Sequence, residues 1–137
     1  MLLLPTSDNS LVVRTTFSDE ERWEDALSVV LTENEDGFRA YVEVVDDSAW
    51  DGASWKQVRQ AALEANDQVS VLFIVDRAAL EPGYPIQVID LDDDARQPFR
   101  CIARELWGVE NNLNISNMDW EEFAESTDHD GVFRGFS

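Results

Sequence analysis

The chain opens with two segments in which the spacing of apolar residues changes from that of a strand to that of a helix. "LVVRTTF" (residues 11–17) is rich in β-branched residues and predicts a strand. In the next segment apolar residues recur at i, i+3, i+4, i+7 and i+8, which predicts an amphipathic helix. These residues are Trp23, Ala26, Leu27, Val30 and Leu31. Ser18 and Glu21 fit a capping box at the start of this helix.

The same order of strand, helix and strand continues. "FRAYVEVVD" (residues 38–46) alternates between apolar and polar positions and predicts a second strand. The residues expected on its apolar face are Phe38, Ala40, Val42 and Val44. Ser54 is predicted to cap a helix over residues 55–65. "VSVLFIVD" (residues 69–76) is almost wholly apolar, which is typical of a central strand buried on both faces.

Two further strands and a last helix complete the pattern. The segments 86–93 and 99–105 predict strands four and five, and the short connections before them favour antiparallel neighbours. The last helix holds Trp120 and Phe123, with Ser116 or Asn117 as its predicted cap. We therefore expect a single α/β domain over residues 1–137, with a short N-terminal arm at 1–9. Its predicted architecture is a sandwich of two or three layers, built on a five-stranded mixed sheet with about three helices.

The charge is the feature of the composition that changes this picture. Twenty-nine acidic residues oppose ten basic ones, nine of them arginine, for a net charge of −19. The acids are spread along the whole chain, and direct binding to nucleic acid or an anionic membrane is excluded because both need a basic surface. Three explanations stay open: a surface that favours solubility, a surface that meets a basic protein partner, and adaptation to high salt.

Cysteine content and hydropathy indicate a cytoplasmic protein. Cys101 is the only cysteine, so no intrachain disulfide can form, and its place between Phe99 and Ala103 predicts a small core residue. No apolar run approaches the length of a membrane span, and residues 1–4 lack the features of a signal peptide.

No arrangement of residues predicts catalysis, and we expect neither a cofactor nor a metal. Asp76 ends the third strand as in receiver domains, but the other receiver residues are missing, so we predict that it bonds turn amides. The aspartates at 90–94 and the "TDHDG" segment (residues 127–131) are incomplete calcium patterns. His129 is the only histidine, too few ligands for a zinc site.

The segment "RELWGVENNLNISNMDWEEF" (residues 104–123) is the strongest candidate for a binding site. Asn111 and Asn112 are expected in left-handed turn positions, either as scaffold or as part of a rigid recognition loop. The predicted binding residues come from this segment and from the acidic loop after the second strand. They are Trp107, Glu110, Asn111, Asn112, Asn114, Asp46, Asp47 and Trp50.

Five segments together resemble a family of short acidic bacterial proteins of unknown function, frequent in actinomycetes. They are "LVVRTTFSDEERWE", "GFRAYVEVVDD", "LFIVDRAAL", "ELWGVENNLNISNMDWEEFA" and "DGVFRGF", and the resemblance runs from Leu11 to Phe136. It implies a free-standing member of that family and supplies no activity, cofactor or catalytic residue. It also favours a high-GC genome over high salt as the origin of the arginine bias.

Three functions follow from these observations. The first is a non-enzymatic, acidic protein-binding module, of the immunity or inhibitor type, that covers a basic partner; acids on one face with a protruding Trp50 or Trp107 would favour it. The alternative is a small-molecule-binding protein or metal-dependent enzyme. Its site would lie between the segment from Trp107 to Asn114 and the aspartates from Asp90 to Asp94. The third is a structural role as a homo-oligomer.

Overall fold

A six-stranded mixed sheet forms the centre of the computed structural model, which describes residues 3–65 and 69–136. The strand order is β2-β1-β3-β4-β5-β6. The strands are β1 Ser10–Arg14, β2 Val42–Val45, β3 Val71–Val75, β4 Pro85–Asp90, β5 Phe99–Ile102 and β6 Val132–Phe133. The predicted α/β class with a mixed sheet is confirmed. The sixth strand has only two residues, too few for an alternation to be recognised in the sequence.

Strand directions follow the lengths of the connections. β1 lies parallel to both β2 and β3; one helical crossover joins β1 to β2 and a second joins β2 to β3. β3 with β4 and β4 with β5 are antiparallel, as their short connections predicted. β3 lies inside the sheet and all five of its residues are buried, so its predicted central position is confirmed.

Helices cover both faces of the sheet and give three layers. They are α1 Glu20–Leu31, α2 Trp55–Ala65, α3 Leu106–Asn114 and α4 Trp120–Ala124. α1, α3 and α4 pack on one face, where Trp23, Phe73 and Phe123 belong to a single apolar cluster with Cys101. α2 packs on the other face through Val58 and its neighbours. None of the helices in the described ranges is long and apolar enough to cross a membrane.

Capping residues correct two of the predicted helix starts. Ser54 caps α2 as predicted, because its Oγ accepts from the Gln57 amide at 3.2 Å. α1 is capped by Asp19 and not by Ser18; the Asp19 Oδ1 accepts from the amide of Arg22 at 3.1 Å. α4 is capped by Asp119 in a capping box, and not by Ser116 or Asn117, because the chain turns at Ser116 with a φ of 56°.

Every predicted strand segment is longer than the strand that forms, and two of them show why. The segment 38–46 forms a regular strand only at Val42–Val45, and Phe38, expected on the buried face, is 51% exposed. The segment 99–105 ends as a strand at Ile102 and continues as the 3₁₀ turn Ala103–Glu105. In both cases the alternating apolar pattern covers residues whose backbone is not paired with a neighbouring strand: those before Val42 in the first segment and those after Ile102 in the second.

Candidate functional site

The asparagine-rich segment forms helix α3 and not a recognition loop. Leu106, Val109 and Leu113 are buried at i, i+3 and i+7 and fix one face of the helix on the sheet. Asn111 and Asn112 therefore have helical backbones, and the left-handed turn expected for them is wrong. The turn comes later, at Ser116.

Glu110 and Asn111 hold the segment that leads into β2. Glu110 is 7% exposed, and its Oε1 accepts from the Tyr41 amide at 2.7 Å. The Asn111 Nδ2 donates to the carbonyl of Trp107 at 2.7 Å and to that of Arg39 at 3.3 Å. Two side chains of α3 therefore fix the backbone of residues 39–41.

Asn114 and Asn112 also have structural hydrogen bonds. The Asn114 Nδ2 donates to Glu110 Oε2 at 3.1 Å and to Ser10 Oγ at 2.9 Å, while its Oδ1 accepts from the Ser70 amide at 3.0 Å. Asn112 donates to the carbonyl of Gly108, one turn back in α3, at 2.8 Å. The side-chain amides of these asparagines already form hydrogen bonds within the fold. That they also contact a partner stays a prediction.

An exposed group of aromatic side chains lies where α3 holds the chain. Phe38 stacks on Trp107 with ring centroids 4.9 Å apart and planes 10° apart. Phe38 and Tyr41 are each 51% exposed, and the Arg39 guanidinium lies 5.0 Å from the Tyr41 ring centroid. We call Phe38, Arg39, Tyr41 and Trp107 the aromatic patch. Of these residues the sequence pointed only to Trp107.

Carboxylates surround the aromatic patch along the chain. Glu33, Glu35 and Asp36 lie in the turn that precedes Phe38, and Glu43 follows Tyr41 in β2. Within the described part of the chain, none of these four carboxylates forms an ion pair with a basic side chain. The aromatic patch, which holds one arginine, is therefore flanked along the chain by four carboxylates that have no ion pair.

The second group of predicted binding residues lies at the other end of β2. Asp46 and Asp47 are exposed, and the Asp47 Oδ1 accepts from the Ala49 amide at 2.9 Å. Trp50 is only 3% exposed, because the 3₁₀ turn Ser48–Trp50 directs it into the core on the α2 face. The expectation of a protruding Trp50 is wrong, and this residue is not available to a partner.

A buried arginine joins Asp46 to the start of α1. The Arg14 guanidinium donates to Asp46 Oδ1 at 3.0 Å and to Glu20 Oε2 at 2.6 Å, and it lies over the rings of Phe17 and Trp23. Burial opposes its charge, but the hydrogen bonds to Glu20 and Asp46 outweigh burial and raise the pKa of Arg14. The network fixes the loops at the carboxyl ends of β1 and β2.

The aspartates of the alternative site are brought close to the segment after α3. A depression of about 140 Å³ is lined by Asp90, Asp92, Ser116 and Asp119, among others. Asp90 is buried, and its two oxygens already accept from the Asp92 amide and from Arg96, both at 2.8 Å. Among the residues that the structure describes, no three His, Cys, Asp or Glu side chains are placed to hold a metal ion.

The remaining candidates have structural partners. Asp76 accepts from the Ala79 amide at 3.1 Å, as predicted, and forms a two-armed ion pair with Arg100 that the sequence did not reveal. Cys101 is buried in the core, as predicted, and burial followed by the charge of Glu105 raises the pKa of its thiol well above the ordinary value. Its thiol is therefore not activated as a nucleophile.

The acidic turn near the C-terminus is held by an arginine. Arg134 pairs with Asp128 at 2.6 Å and with Asp130 at 2.8 Å. The hydrogen bond from Arg134 is the main reason that the pKa of Asp130 falls to about 2. His129 between them is exposed. The incomplete calcium pattern is thus a turn stabilised by ion pairs.

These features define a three-layer α/β protein whose candidate site is an exposed surface patch. Residues 9–136 match the family described as a domain of unknown function (DUF6924), so the chain belongs to that family. The resemblance seen in the sequence is confirmed at the level of an uncharacterised family. Comparison with curated proteins gave no match.

Proposed function

We propose that this protein is a non-enzymatic protein-binding module whose aromatic patch anchors a basic protein partner. The observation that carries the proposal is the exposed Phe38 ring stacked on the half-buried Trp107, with Arg39 and the exposed Tyr41 in the same segment and unpaired carboxylates before and after that segment in the chain. Aromatic residues and arginine dominate the binding energy of protein interfaces. Charged residues at the rim act mainly on the rate of association and on the choice of partner.

The hydrogen bonds from α3 support this function, because they prepare the patch before the partner arrives. Glu110 fixes the Tyr41 amide and Asn111 fixes the Arg39 carbonyl. A segment held in one conformation loses little entropy on binding, so more of its contact energy appears as affinity. In this proposal Glu110 and Asn111 position the patch, while Phe38, Tyr41 and Trp107 contact the partner.

The net charge supports a basic partner. Among the described residues, four arginines pair with eight carboxylates, against 29 acids in the chain. The uncompensated carboxylates create a negative field that accelerates the approach of a cationic protein. An immunity or inhibitor-type protein that covers a basic target would use both features. We also propose a cytosolic location, which suits the single buried thiol, and an origin in a high-GC actinomycete.

The experiment is affinity purification from the host with wild-type protein and a Phe38→Ala/Tyr41→Ala double variant. Ile115→Ala is the matched control, because Ile115 is also a large exposed apolar residue but lies outside the patch. Wild type and control should capture the same basic protein, and the double variant should lose it. With the purified partner, calorimetry should show a loss of at least about 2 kcal/mol, or roughly thirtyfold in Kd. Equal binding by the double variant, or an acidic partner, would refute the proposal.

The alternative function keeps one supporting observation. The depression beside Asp90 brings two of the predicted aspartates, Asp90 and Asp92, next to Leu113, which is the one residue of the segment from Trp107 to Asn114 that lines it. At about 140 Å³ it is smaller than the roughly 300–1,000 Å³ of ligand pockets, and Arg96 already engages Asp90, Asp93 and Glu121 around it. The aromatic patch therefore remains the better supported site.

A further inference from the structure

We propose that a cleft along α1 binds a small amphipathic anion, a medium-chain carboxylate, with its carboxylate on Arg104. Two neighbouring cavities of about 290 and 400 Å³ lie beside α1, and Val29 and Arg104 line both of them. We call the two cavities together the α1 cleft. The inference concerns a site for a small molecule that shares only Arg39 and Trp107 with the aromatic patch, and it goes beyond the proposed binding of a protein.

The surface of the α1 cleft is mainly apolar near Arg104. Val30 and Ala103 line the first cavity together with Trp107, and Ile102 and Tyr84 line the second. These side chains come from α1, from the end of β5 and the 3₁₀ turn that follows it, from α3 and from the turn before β4. Such a surface gains free energy when an aliphatic chain removes it from water, at about 25 cal/mol per Å².

Arg104 supplies the charge that the ligand must match. It is exposed on the 3₁₀ turn Ala103–Glu105, and its guanidinium forms no ion pair or hydrogen bond with any residue in the described ranges. Five of the nine arginines have no ion pair among the described residues, but Arg22, Arg39 and Arg59 donate to backbone carbonyls, whereas the Arg104 guanidinium does not. Glu33 is the one acid among the residues that line the two cavities. An unpaired guanidinium presents two parallel donors that fit a carboxylate.

The other two arginines of the α1 cleft do not compete for the same anion. Arg134, in the second cavity, is already paired with Asp128 and Asp130. Arg39, at the end of the first cavity, donates to the carbonyl of Leu31 at 3.3 Å and lies over the Tyr41 ring. Arg104 sits where the cavities meet. A carboxylate there leaves its apolar chain free to lie in either cavity.

The probe is octanoate, titrated into ¹⁵N-labelled protein and followed by amide chemical shifts, with 1-octanol as its neutral counterpart. Octanoate should shift the amides of Val29, Gly83 and Ala103 and bind at least about tenfold more tightly than the alcohol. Arg104→Ala should weaken octanoate binding by at least about tenfold and leave binding of the alcohol unchanged. Val29→Glu, which adds a carboxylate to the cleft, should weaken octanoate binding as well.

Two controls separate this inference from general effects and from the proposed protein-binding function. Arg77→Ala removes another exposed arginine that has no ion pair among the described residues but lies outside the α1 cleft, and it should bind octanoate like wild type. Phe38→Ala/Tyr41→Ala should also keep octanoate binding while it loses the protein partner. Equal affinity for octanoate and octanol, or wild-type affinity in Arg104→Ala, would overturn the inference.

Discussion

Glu110 is expected to be the most important polar side chain for stability. It is 7% exposed and accepts hydrogen bonds from the Tyr41 amide and from the side chains of Asn111 and Asn114. The two Nδ2 hydrogens of Asn111 keep acceptors at the carbonyls of Trp107 and Arg39, whereas those of Asn114 keep only Ser10 Oγ. Two bonds, from the Tyr41 amide and from Asn114, are therefore lost without replacement in Glu110→Ala. A hydrogen bond to a charged group contributes about 1.5–3 kcal/mol, and the lower value for two bonds gives a loss of about 3 kcal/mol.

Glu110→Gln separates the hydrogen bonds from the shape of the side chain. The glutamine oxygen can still accept from the Tyr41 amide, but its NH₂ group cannot accept from the Asn114 Nδ2, which donates to Glu110 Oε2 at 3.1 Å. Asn114 cannot turn its amide over without losing the bond from Ser70. We therefore expect a loss of about 1.5 kcal/mol, half of that in the alanine variant.

The assay is urea unfolding followed by tryptophan fluorescence, with Glu24→Ala as the control. Glu24 is an exposed glutamate of α1, and its change should stay within about 0.5 kcal/mol of wild type. With an m value of about 1.5–2 kcal/mol/M, Glu110→Ala should lower the midpoint by about 1.5–2 M at unchanged m. Exchange of the Tyr41 amide with solvent should also accelerate. A midpoint for Glu110→Ala equal to that of the control would refute this account of α3.

Three further outcomes test other parts of the structure. Asn114→Ala should lower the free energy of unfolding by about 2 kcal/mol and Asn112→Ala by less than about 1 kcal/mol in urea titrations. Asn114 joins α3 to Ser10 and Ser70, whereas Asn112 bonds to Gly108 in its own helix and to the exposed side chain of Asn117 just beyond it, and equal losses would contradict this. The Asp130 pKa of about 2 lies below the ordinary 3.8, so the stabilisation by Arg134 is complete above that ordinary value and is lost as the pH falls towards 2. The difference in melting temperature between wild type and Arg134→Ala should shrink over that interval, and a constant difference would exclude the ion pair as its cause. Melting curves with and without EDTA should coincide, since Arg96 and a turn amide already occupy the oxygens of Asp90, and a large decrease with EDTA would restore the aspartate segment as a metal site.

The elements that the sequence predicted well are those whose apolar residues are buried by local geometry. β3 is apolar throughout because the sheet covers it on both sides and helices cover both faces. α1 shows its buried stripe at Trp23, Ala26 and Val30 because a helix repeats every 3.6 residues. Such signals depend only on neighbours along the chain, and they could be read without knowledge of the rest of the fold.

α3 was predicted as a loop although part of its signal was present. Leu106, Val109 and Leu113 have helical spacing, but three asparagines and Gly108 are weak helix formers and concealed it. What offsets their low propensity is hydrogen bonding to distant segments, such as that of Asn114 to Ser10 and Ser70. These partners are 44 and more residues away, and no local pattern indicates them.

The aromatic patch was missed for the same reason. Phe38 alternates correctly with Ala40 and Val42 for an inward position, but it precedes the first paired residue of β2. Its exposed ring is accommodated by stacking on Trp107, which lies in another element of the fold. Trp50 shows the opposite error, because an aromatic residue in an acidic loop was expected outside and a 3₁₀ turn places it inside.

Stability and binding should be coupled through Glu110, and a double-mutant cycle can separate support from contact. If Glu110 acts only by fixing residues 39–41, Glu110→Ala weakens partner binding because the patch must be ordered again on association. In Phe38→Ala the segment has lost one of the side chains that contact the partner. Fixing the conformation of residues 39–41 in advance then contributes less to the affinity. The effect of Glu110→Ala on affinity should then be smaller in the Phe38→Ala background, with a coupling energy of at least about 0.5 kcal/mol measured by calorimetry. Strictly additive losses would mean that Glu110 contributes to binding independently of the patch, and the division between positioning residues on α3 and contacting residues on the aromatic patch would then be wrong.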